Sequence, residues 1–293
     1  MKKYFEKFSL VELNVTFYRY PKEKTVEGWR ERAPKDFIFT VKAHRDISHR
    51  TKMRVEETSI SAFERMKKIC KRLNAKVLLF QTPGSFGPER LGNAEKFFRT
   101  LNCEELFLVW ETRGSAWENQ KFHKKLGQIL KELNVTHVTD PLRILPAYTA
   151  EIVYFRLHGL GAQMYYYQYT DMELRKLKEI VMPYEGKAKE VYVLFNNLAM
   201  FEDGVRFMQY LSKDTFPKIT DSTGLASIKN VIGKTRYPIT KGMLIKKLGW
   251  RLVEIQEGKQ ARLETILTDL PSKSYSSAEE LVNELKSAKT VTS

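Results

Sequence analysis

Seven short apolar runs, rich in β-branched and aromatic residues, recur along the first two thirds of the chain. They cover residues 10–18, 37–44, 75–81, 105–111, 135–140, 152–159 and 191–197. Between them lie charged segments whose apolar residues repeat at helical spacing, such as ISAFERMKKICKRLN and NQKFHKKLGQILKELN. The pattern predicts seven β-strands that alternate with amphipathic α-helices.

Strands that alternate with helices in this way are typical of βαβ units and a parallel sheet. Such units build either an open, doubly wound sheet or a closed (β/α)8 barrel. Neither a GxGxxG motif nor a P-loop follows the first strand, so the sequence carries no signal for a nucleotide-binding open sheet. A closed barrel needs eight strands. Seven are recognised, so one strand is missing or misread.

The composition of the chain changes at about residue 213. Residues 213–235 have the turn-rich composition of a linker, and residues 236–293 contain three short helical patterns. We therefore predict a barrel domain over residues 1–212, a linker over 213–235 and a small helical accessory domain over 236–293. Lys and Arg outnumber Asp and Glu by 36 to 26 in residues 1–212 and by 14 to 9 in residues 213–293, so the positive charge is not confined to the tail.

The whole chain has 293 residues, 42% of them apolar, and a formal net charge of +15. This composition excludes collagen-like, low-complexity and disordered proteins, and the charge favours polyanionic partners. Two cysteines, Cys70 and Cys103, are too few for a disulfide framework or a Cys-rich zinc site. Charged residues interrupt the N-terminal apolar positions, and no apolar stretch approaches the about 20 residues that span a bilayer. We expect a cytoplasmic protein with no membrane partner.

Polar side chains interrupt the predicted strands, mostly near their C-terminal ends. A parallel strand that is buried on both faces should be nearly continuous in apolar residues, so these positions are informative. They are Glu12, Asn14, Thr16, Thr40, Lys42, His44, Gln81, Glu111, Asp140, Arg156, His158, Asn196 and Asn197, with Arg45 and Arg113 just beyond two of the strands. The carboxyl ends of parallel strands meet on the face where barrels and open α/β sheets build their sites. We therefore expect one site there.

Two interpretations of these side chains remain open. Burying them unpaired would cost several kcal/mol each, so they either pair with one another as a structural ion network or line a wet pocket. In a pocket, four cations would suit phosphate or carboxylate: Lys42, Arg45, Arg113 and Arg156. Four side chains are candidates for acid–base chemistry: Glu12, Glu111, Asp140 and His158. HExxH and paired-His spacings are absent, so neither a metal nor a nucleotide cofactor is strongly signalled.

A tyrosine-rich segment, GAQMYYYQYTDMEL, follows the sixth predicted strand. Tyrosines outside a strand or helix pattern can stack on bases or sugars, which would suit a nucleic-acid or glycan platform. A loop that packs its own aromatic side chains is an equal alternative.

Five ordered motifs resemble the domain-of-unknown-function 72 family, also called YecE-like: VELNVTFYRYP, FIFTVKAHRDISH, VLLFQTPGSF, YFRLHG with its tyrosine-rich loop, and VYVLFNN. The resemblance covers roughly residues 4–212. It implies a TIM-barrel fold, with loose kinship to sugar isomerases and endonuclease IV-like barrels, and no established activity. The characteristic residues of the family match here as Glu12, Asn14, Phe17, Tyr18, Lys42, His49, Gln81, Arg156, His158, Gly159, Tyr169, Asn196 and Asn197.

The chain departs from the family pattern at two places. Members usually open with a strand that carries a GTSGW-like segment, so the resemblance implies a (β/α)8 barrel that lacks its first strand. Either the start is wrongly assigned or the barrel is open between strands 10–18 and 191–197. The segment WETRGSAW stands where the family usually has EFRHPSW, and it lacks the histidine. The tail is weakly similar to the small helical domain-of-unknown-function 2795 family.

Two functions therefore compete. The first is a hydrolase or isomerase that acts on a phosphate- or sugar-containing substrate, with Glu12, Glu111 and His158 as catalytic residues. Its ligand-binding residues would be Asn14, Tyr18, Lys42, His49, Gln81, Arg113, Asp140, Arg156, Tyr169, Asn196 and Asn197. The second is a non-catalytic nucleic-acid-binding protein that uses the basic surface and the tyrosine-rich loop. The sequence does not predict the oligomeric state.

Overall fold

A computed structural model describes residues 2–103 and 105–287. All seven predicted strands are present, each shorter than its apolar run: β1 Leu10–Leu13, β2 Ile38–Lys42, β3 Val77–Gln81, β4 Phe107–Glu111, β5 Thr136–Val138, β6 Ile152–Leu157 and β7 Glu190–Phe195. The helices of this part of the chain are α1 Lys2–Phe5, α2 Val15–Tyr18, α3 Glu23–Arg32, α4 Glu57–Leu73, α5 Leu91–Thr100, α6 Gln120–Leu133, α7 Asp171–Val181 and α8 Met200–Lys213.

The first five strands form one parallel sheet in chain order. Its register places Lys42 opposite Leu79 and Gln81 opposite Glu111, so the polar residues that end these strands lie along one edge. The strands β6 and β7 form a separate pair, and a parallel bridge between Thr139 and Phe155 links β6 to the chain just after β5. The fold is thus mixed α/β with a five-stranded parallel sheet.

Both faces of the sheet are buried, as expected for parallel strands. One face packs against α4, α5 and α6 in a large aromatic cluster that includes Phe39, Val41, Leu78, Phe80, Trp110, Phe63 and Phe97. The opposite face contributes to a smaller cluster that also takes side chains from β6 and β7: Val77, Leu79, Val109, Val138, Ile152, Tyr154, Tyr192 and Leu194. Because apolar side chains fill both faces, a charged group in these strands must find its partners at a strand end.

Local sequence signals set the ends of the helices that precede β3 and β5. The helix α4 begins at a capping box in which the Glu56 amide donates to Ser59 Oγ at 3.2 Å. It ends at Asn74, which takes the left-handed conformation with φ of 53°, and α6 ends in the same way at Asn134. Asparagine tolerates this conformation better than most residues, so it stops each helix and turns the chain into the next strand.

The predicted strand over residues 10–18 is wrong beyond Leu13, because the chain turns there into α2. The hydroxyl of Thr16 lies 2.7 Å from both the Leu13 and Lys42 carbonyl oxygens. These contacts replace the backbone hydrogen bonds that a longer strand would form. Asn14 and Thr16, which were predicted to lie in this strand with Glu12, are therefore outside it. Asn14 is the N-cap residue of α2, and Tyr18 at its end is 66% exposed.

The described residues divide into two compact units. The first runs to Leu157 and includes Glu179–Leu194, and the second combines His158–Lys178 with the described residues from Phe195 onward. The second unit contains the expected C-terminal helices, α10 Lys241–Leu248, α11 Leu263–Leu267 and α12 Ala278–Ser287. It also contains α9 Gly224–Ile232, which lies within the segment expected as a linker, and two antiparallel strand pairs: β8 Ile239–Thr240 with β11 Ser274–Tyr275, and β9 Leu252–Gln256 with β10 Lys259–Arg262.

A separate apolar core supports this C-terminal part, formed by Ile228, Leu244, Val253, Leu267 and Leu281 among others. The final residues of the predicted accessory domain, 288–293, lie outside the described residues. Among the helices that the structure describes, none is both long enough and apolar enough to cross a bilayer.

Candidate functional site

The Lys42 side chain is a buried cation at the end of β2. Its ammonium group donates to Gln81 Oε1 at 2.6 Å and lies 4.3 Å from the centre of the Phe17 ring. Within residues 2–103 and 105–287 it forms no salt bridge with a carboxylate. An amide and an aromatic face therefore hold this charge, and both are weaker partners for an ammonium group than a carboxylate is.

A buried ion network lies beside Lys42 and is centred on Arg156 of β6, which is 1% exposed. Its guanidinium donates to Glu12 Oε1 at 2.7 Å, to Glu111 Oε2 and, at 3.4 Å, to Gln81 Oε1. The other oxygen of Glu111 lies 2.6 Å from Arg113 Nε. The strands β1, β3, β4 and β6 thus supply Glu12, Gln81, Glu111 and Arg156 to this network.

Sequence reasoning missed Tyr154, which belongs to the same network. Its hydroxyl donates to Glu12 Oε2 at 2.8 Å and lies 2.8 Å from Thr40 Oγ1. Tyr154 is two residues before Arg156 in β6, so the two side chains point to the same face. The available signal was that Tyr154 carries a hydroxyl and shares a strand face with Arg156, a predicted site residue. A tyrosine within an apolar run is equally typical of an ordinary apolar core.

Burial and neighbouring charge shift the acid–base properties of the site. Burial, with Arg156 nearby, lowers the pKa of Lys42 from 10.5 to about 8. Burial alone would lower the pKa of Arg156 too, but Glu111 and Glu12 outweigh it and raise that pKa. Burial, with the charge of Glu12, raises the pKa of the Tyr154 hydroxyl well above 10. With a pKa of about 8, the Lys42 ammonium can exchange its proton close to neutral pH.

Two other predicted residues, His49 and Asp140, also belong to the first unit. His49 sits in a short π-helix, Asp46–Arg50, and its ring meets the edge of Phe17 at 4.8 Å. Burial lowers the pKa of His49, and the charges of Lys42 and Arg45 add to the effect. Asp140 accepts the amide of Leu142 at 3.2 Å, so one of its oxygens holds the turn after β5.

The remaining predicted residues belong to the second unit. Asn196 Nδ2 lies 3.0 Å from His158 Nδ1. Asn197 donates to the buried carboxylate of Asp203 at 2.7 Å and to the Tyr167 carbonyl oxygen at 2.8 Å. These contacts join the tyrosine-rich loop to α8.

Arg206, which the sequence did not single out, completes that second set of contacts. It donates to Asp203 Oδ1 at 3.0 Å, to the Tyr169 carbonyl oxygen at 2.5 Å and to Asp171 Oδ1 at 2.6 Å. The hydroxyl of Tyr169 accepts the Gly159 amide at 2.8 Å. The predicted ligand-binding residues Tyr169 and Asn197 are thus both held by internal hydrogen bonds.

The described part of the chain contains no group of three or more His, Cys, Asp or Glu side chains that could hold a metal ion. The charged groups that converge are three cations, Lys42, Arg113 and Arg156, and two carboxylates, Glu12 and Glu111.

Two family models match successive parts of the chain. A model described as "Protein of unknown function DUF72" matches residues 1–221, and one described as "Family of unknown function (DUF5789)" matches residues 222–290. The model that matches the tail is thus DUF5789. The sequence alone had shown a weak similarity to the domain-of-unknown-function 2795 family.

Similar proteins share the first of these regions. UPF0759 protein YunF of Bacillus subtilis (strain 168) is 23% identical over 225 residues, which cover 67% of this chain and 80% of that protein. A crystal structure of a DUF72 family protein (EF0366) from Enterococcus faecalis V583 is 27% identical and matches with a TM-score of 0.60, over 72% of this chain and 92% of that one. A second crystal structure of that protein matches at 24% identity and a TM-score of 0.54, over 71% of this chain and 86% of that one.

Proposed function

The chain belongs to the DUF72 family over residues 1–221, and from that premise we propose that its seven strands form a TIM-type barrel whose carboxyl-terminal mouth binds a small anionic ligand. The ligand would carry a phosphate or carboxylate group. Lys42 is its principal contact, and the network around Arg156 is the rigid support on which Lys42 rests.

The barrel is supported by contacts that a flat sheet would not allow. Neighbouring strands lie about 4.8 Å apart, so strands five positions apart in a flat sheet would be separated by about 24 Å. Arg156 of β6 nevertheless donates to Glu12 of β1 at 2.7 Å, and Tyr154 of β6 reaches both Glu12 and Thr40. A sheet that curls until β6 faces β1 and β2 accounts for these distances, as in a barrel.

The anion site rests on one observation: Lys42 is a buried cation at a strand end that is paired with an amide rather than a carboxylate. Three cations, Lys42, Arg113 and Arg156, face two carboxylates, Glu12 and Glu111, which leaves one excess positive charge. Because burying an unpaired charge is costly, an anion that entered beside Lys42 would be bound by charge-assisted hydrogen bonds.

The same geometry supports different roles for side chains that the sequence grouped in one site. Arg156 already holds both carboxylates, so Glu12 and Glu111 serve to position the cations. Lys42, with its pKa lowered to about 8, suits proton transfer to or from a bound ligand. We therefore assign ligand contact and acid–base chemistry first to Lys42, and support to the three other side chains.

Replacing Lys42 with methionine is expected to weaken binding of inorganic phosphate by about tenfold to a hundredfold, because a hydrogen bond to a charged group contributes about 1.5–3 kcal/mol. Isothermal titration calorimetry at low ionic strength and pH 7 measures this change. Mass spectrometry of small molecules that copurify with each protein should show anionic species that the wild-type chain retains and Lys42→Met loses.

Lys71→Met is the matched control, since Lys71 lies on the exposed surface of α4 and loses the same charge. It should bind phosphate as the wild type does. Equal affinities for the wild type and Lys42→Met, with both folded, would contradict the proposed site.

The second candidate function, nucleic-acid binding, is favoured by a different observation. In the tyrosine-rich loop Tyr167 and Tyr169 are buried, but Tyr165 is 37% exposed and Tyr166 is 36% exposed. The loop therefore both packs on itself and presents two rings to solvent. This surface is in the second unit, and it does not depend on Lys42.

A further inference from the structure

A stretch of the second unit carries positive charge only. From Ser222 to Val253 the sequence contains seven Lys and Arg residues and no Asp or Glu. The stretch includes α9, the loop after it, and α10. Most protein surfaces mix charges of both signs, so a segment with positive charges alone raises the positive potential around it.

Three of the seven cations have partners elsewhere in this unit. Lys229 pairs with Glu279 at 3.0 Å, and Arg251 lies 3.4 Å from Glu202. The ammonium of Lys241 donates to two backbone carbonyl oxygens, those of Thr268 and Leu270, at 2.6 Å each. These three are accounted for by the fold.

The four other cations are exposed and, among the residues that the structure describes, form no salt bridge: Lys234, Arg236, Lys246 and Lys247. A hydrogen bond of 3.0 Å from Lys247 Nζ to Thr235 Oγ1 holds the loop that carries Lys234 and Arg236 against α10. The four charges therefore belong to one patch, drawn from two segments that contact each other.

Aromatic side chains continue this patch. The indole of Trp250 follows α10 and donates to the Lys247 carbonyl oxygen at 2.9 Å. Its ring meets that of Tyr166 edge to face at 6.2 Å, and the guanidinium of Arg251 lies 5.3 Å from its centre. Trp250 therefore connects the four cations to the partly exposed rings of Tyr166 and Tyr165.

The segments that carry this surface are fixed to each other. Arg262 donates to the Trp250 carbonyl oxygen at 3.0 Å, and its guanidinium lies 4.0 Å from the centre of the Tyr167 ring. The Leu252 amide donates to Gln168 Oε1 at 3.0 Å. The tyrosine-rich loop and the C-terminal segment therefore present their side chains in a set arrangement, which lowers the entropy lost on binding.

We propose that this surface binds single-stranded nucleic acid. Lys234, Arg236, Lys246 and Lys247 contact successive phosphates, while Trp250 and Tyr166 stack on bases. The combination of a cationic track with aromatic rings is the usual chemistry of single-strand binding, because every base has a face on which a ring can stack. Duplex nucleic acid also offers phosphates, but its stacked base pairs hide the faces of the bases. The aromatic side chains therefore favour single strands over duplexes. This proposal is independent of the anion site at Lys42.

Fluorescence anisotropy with a labelled oligo(dT) or oligo(U) of about 20 nucleotides tests the proposal on the full chain. We expect binding that weakens with salt, and a logarithmic salt slope that falls by about 3 when all four cations are replaced with alanine, because each phosphate contact on a single strand contributes about 0.7. Tyr166→Ala and, separately, Trp250→Ala should each weaken binding about tenfold. Tyr166 is partly exposed, so its variant should fold even if the Trp250 variant does not.

A second quadruple variant is the control, with Lys176, Lys213, Lys218 and Lys259 replaced by alanine; all four are exposed residues of the same unit outside the patch. It removes the same net charge and should keep most of the affinity and slope. Equal losses in the two quadruple variants would show that only net charge matters and would overturn the proposal. Binding of a duplex as tightly as the single strand, or tighter binding to vesicles of anionic lipid, would overturn it as well.

Discussion

Arg156→Met is expected to destabilise the first unit by about 3–5 kcal/mol, the effect of removing one partner from a buried ion network. The variant leaves the carboxylates of Glu12 and Glu111 buried without the cation that both of them contact. Equilibrium unfolding in urea measures the change in the free energy of unfolding. A loss of this size would show that Arg156 is a support of the site, whereas Lys42→Met should change stability little.

Arg19→Met provides the reference for this experiment, since Arg19 is exposed after α2, and such surface changes usually stay within about 0.5 kcal/mol. A triple variant, Glu12→Gln, Glu111→Gln and Arg156→Met, removes all three charges and should recover part of the stability. If Arg156→Met proved as stable as Arg19→Met, Arg156 would not be the buried centre of the network.

Arg206→Met is expected to have an effect of similar size, about 3–5 kcal/mol, in the second unit. Arg206 holds Asp203, which is fully buried, together with the Tyr169 carbonyl oxygen and Asp171. Its removal leaves a buried carboxylate without its cation and loosens the tyrosine-rich loop from α8. Hydrogen exchange of the Tyr169 amide, which donates to Asp203 at 3.2–3.3 Å, should become faster.

Lys213→Met, at the exposed end of the same helix, is the comparison for Arg206. It should leave both the free energy of unfolding and the Tyr169 exchange rate unchanged. An unchanged exchange rate in Arg206→Met would mean that the loop is held by its own aromatic packing and not by this ion cluster.

The sequence predicted the seven strands β1 to β7 and their order because each is a short apolar run between helical segments. It did not predict the strands β8 to β11 of the C-terminal part. It did not predict where the first strand ends. Val15, Thr16 and Phe17 all favour strands by their side-chain type. The Thr16 hydroxyl, however, lies within hydrogen-bonding distance of the Leu13 and Lys42 carbonyl oxygens, which act as acceptors. Such a contact depends on where β2 lies, which local pattern does not contain.

The same distinction applies to the candidate site. Lys42, Gln81, Glu111 and Arg156 could be identified because polar groups are rare in buried strands. Their partners could not: that Lys42 pairs with an amide while Arg156 takes both carboxylates depends on register and on the curvature of the sheet. Arg206 and Asp203 escaped notice because charges three residues apart on a helix usually lie in solvent, whereas here the helix buries them.

The pKa of the Lys42 ammonium, with and without an anion, tests the central claim most directly. Nuclear magnetic resonance titration of the isotope-labelled lysine side chain follows this one group, and sulfate serves as an anion whose own charge stays constant. We predict a pKa of about 8 for Lys42 in the free protein, so that it loses its proton as the pH rises through 8, and a higher pKa in sulfate because a bound anion stabilises the charged form. A pKa near 10.5 that sulfate leaves unchanged would contradict the claim that Lys42 is a buried cation awaiting an anionic partner.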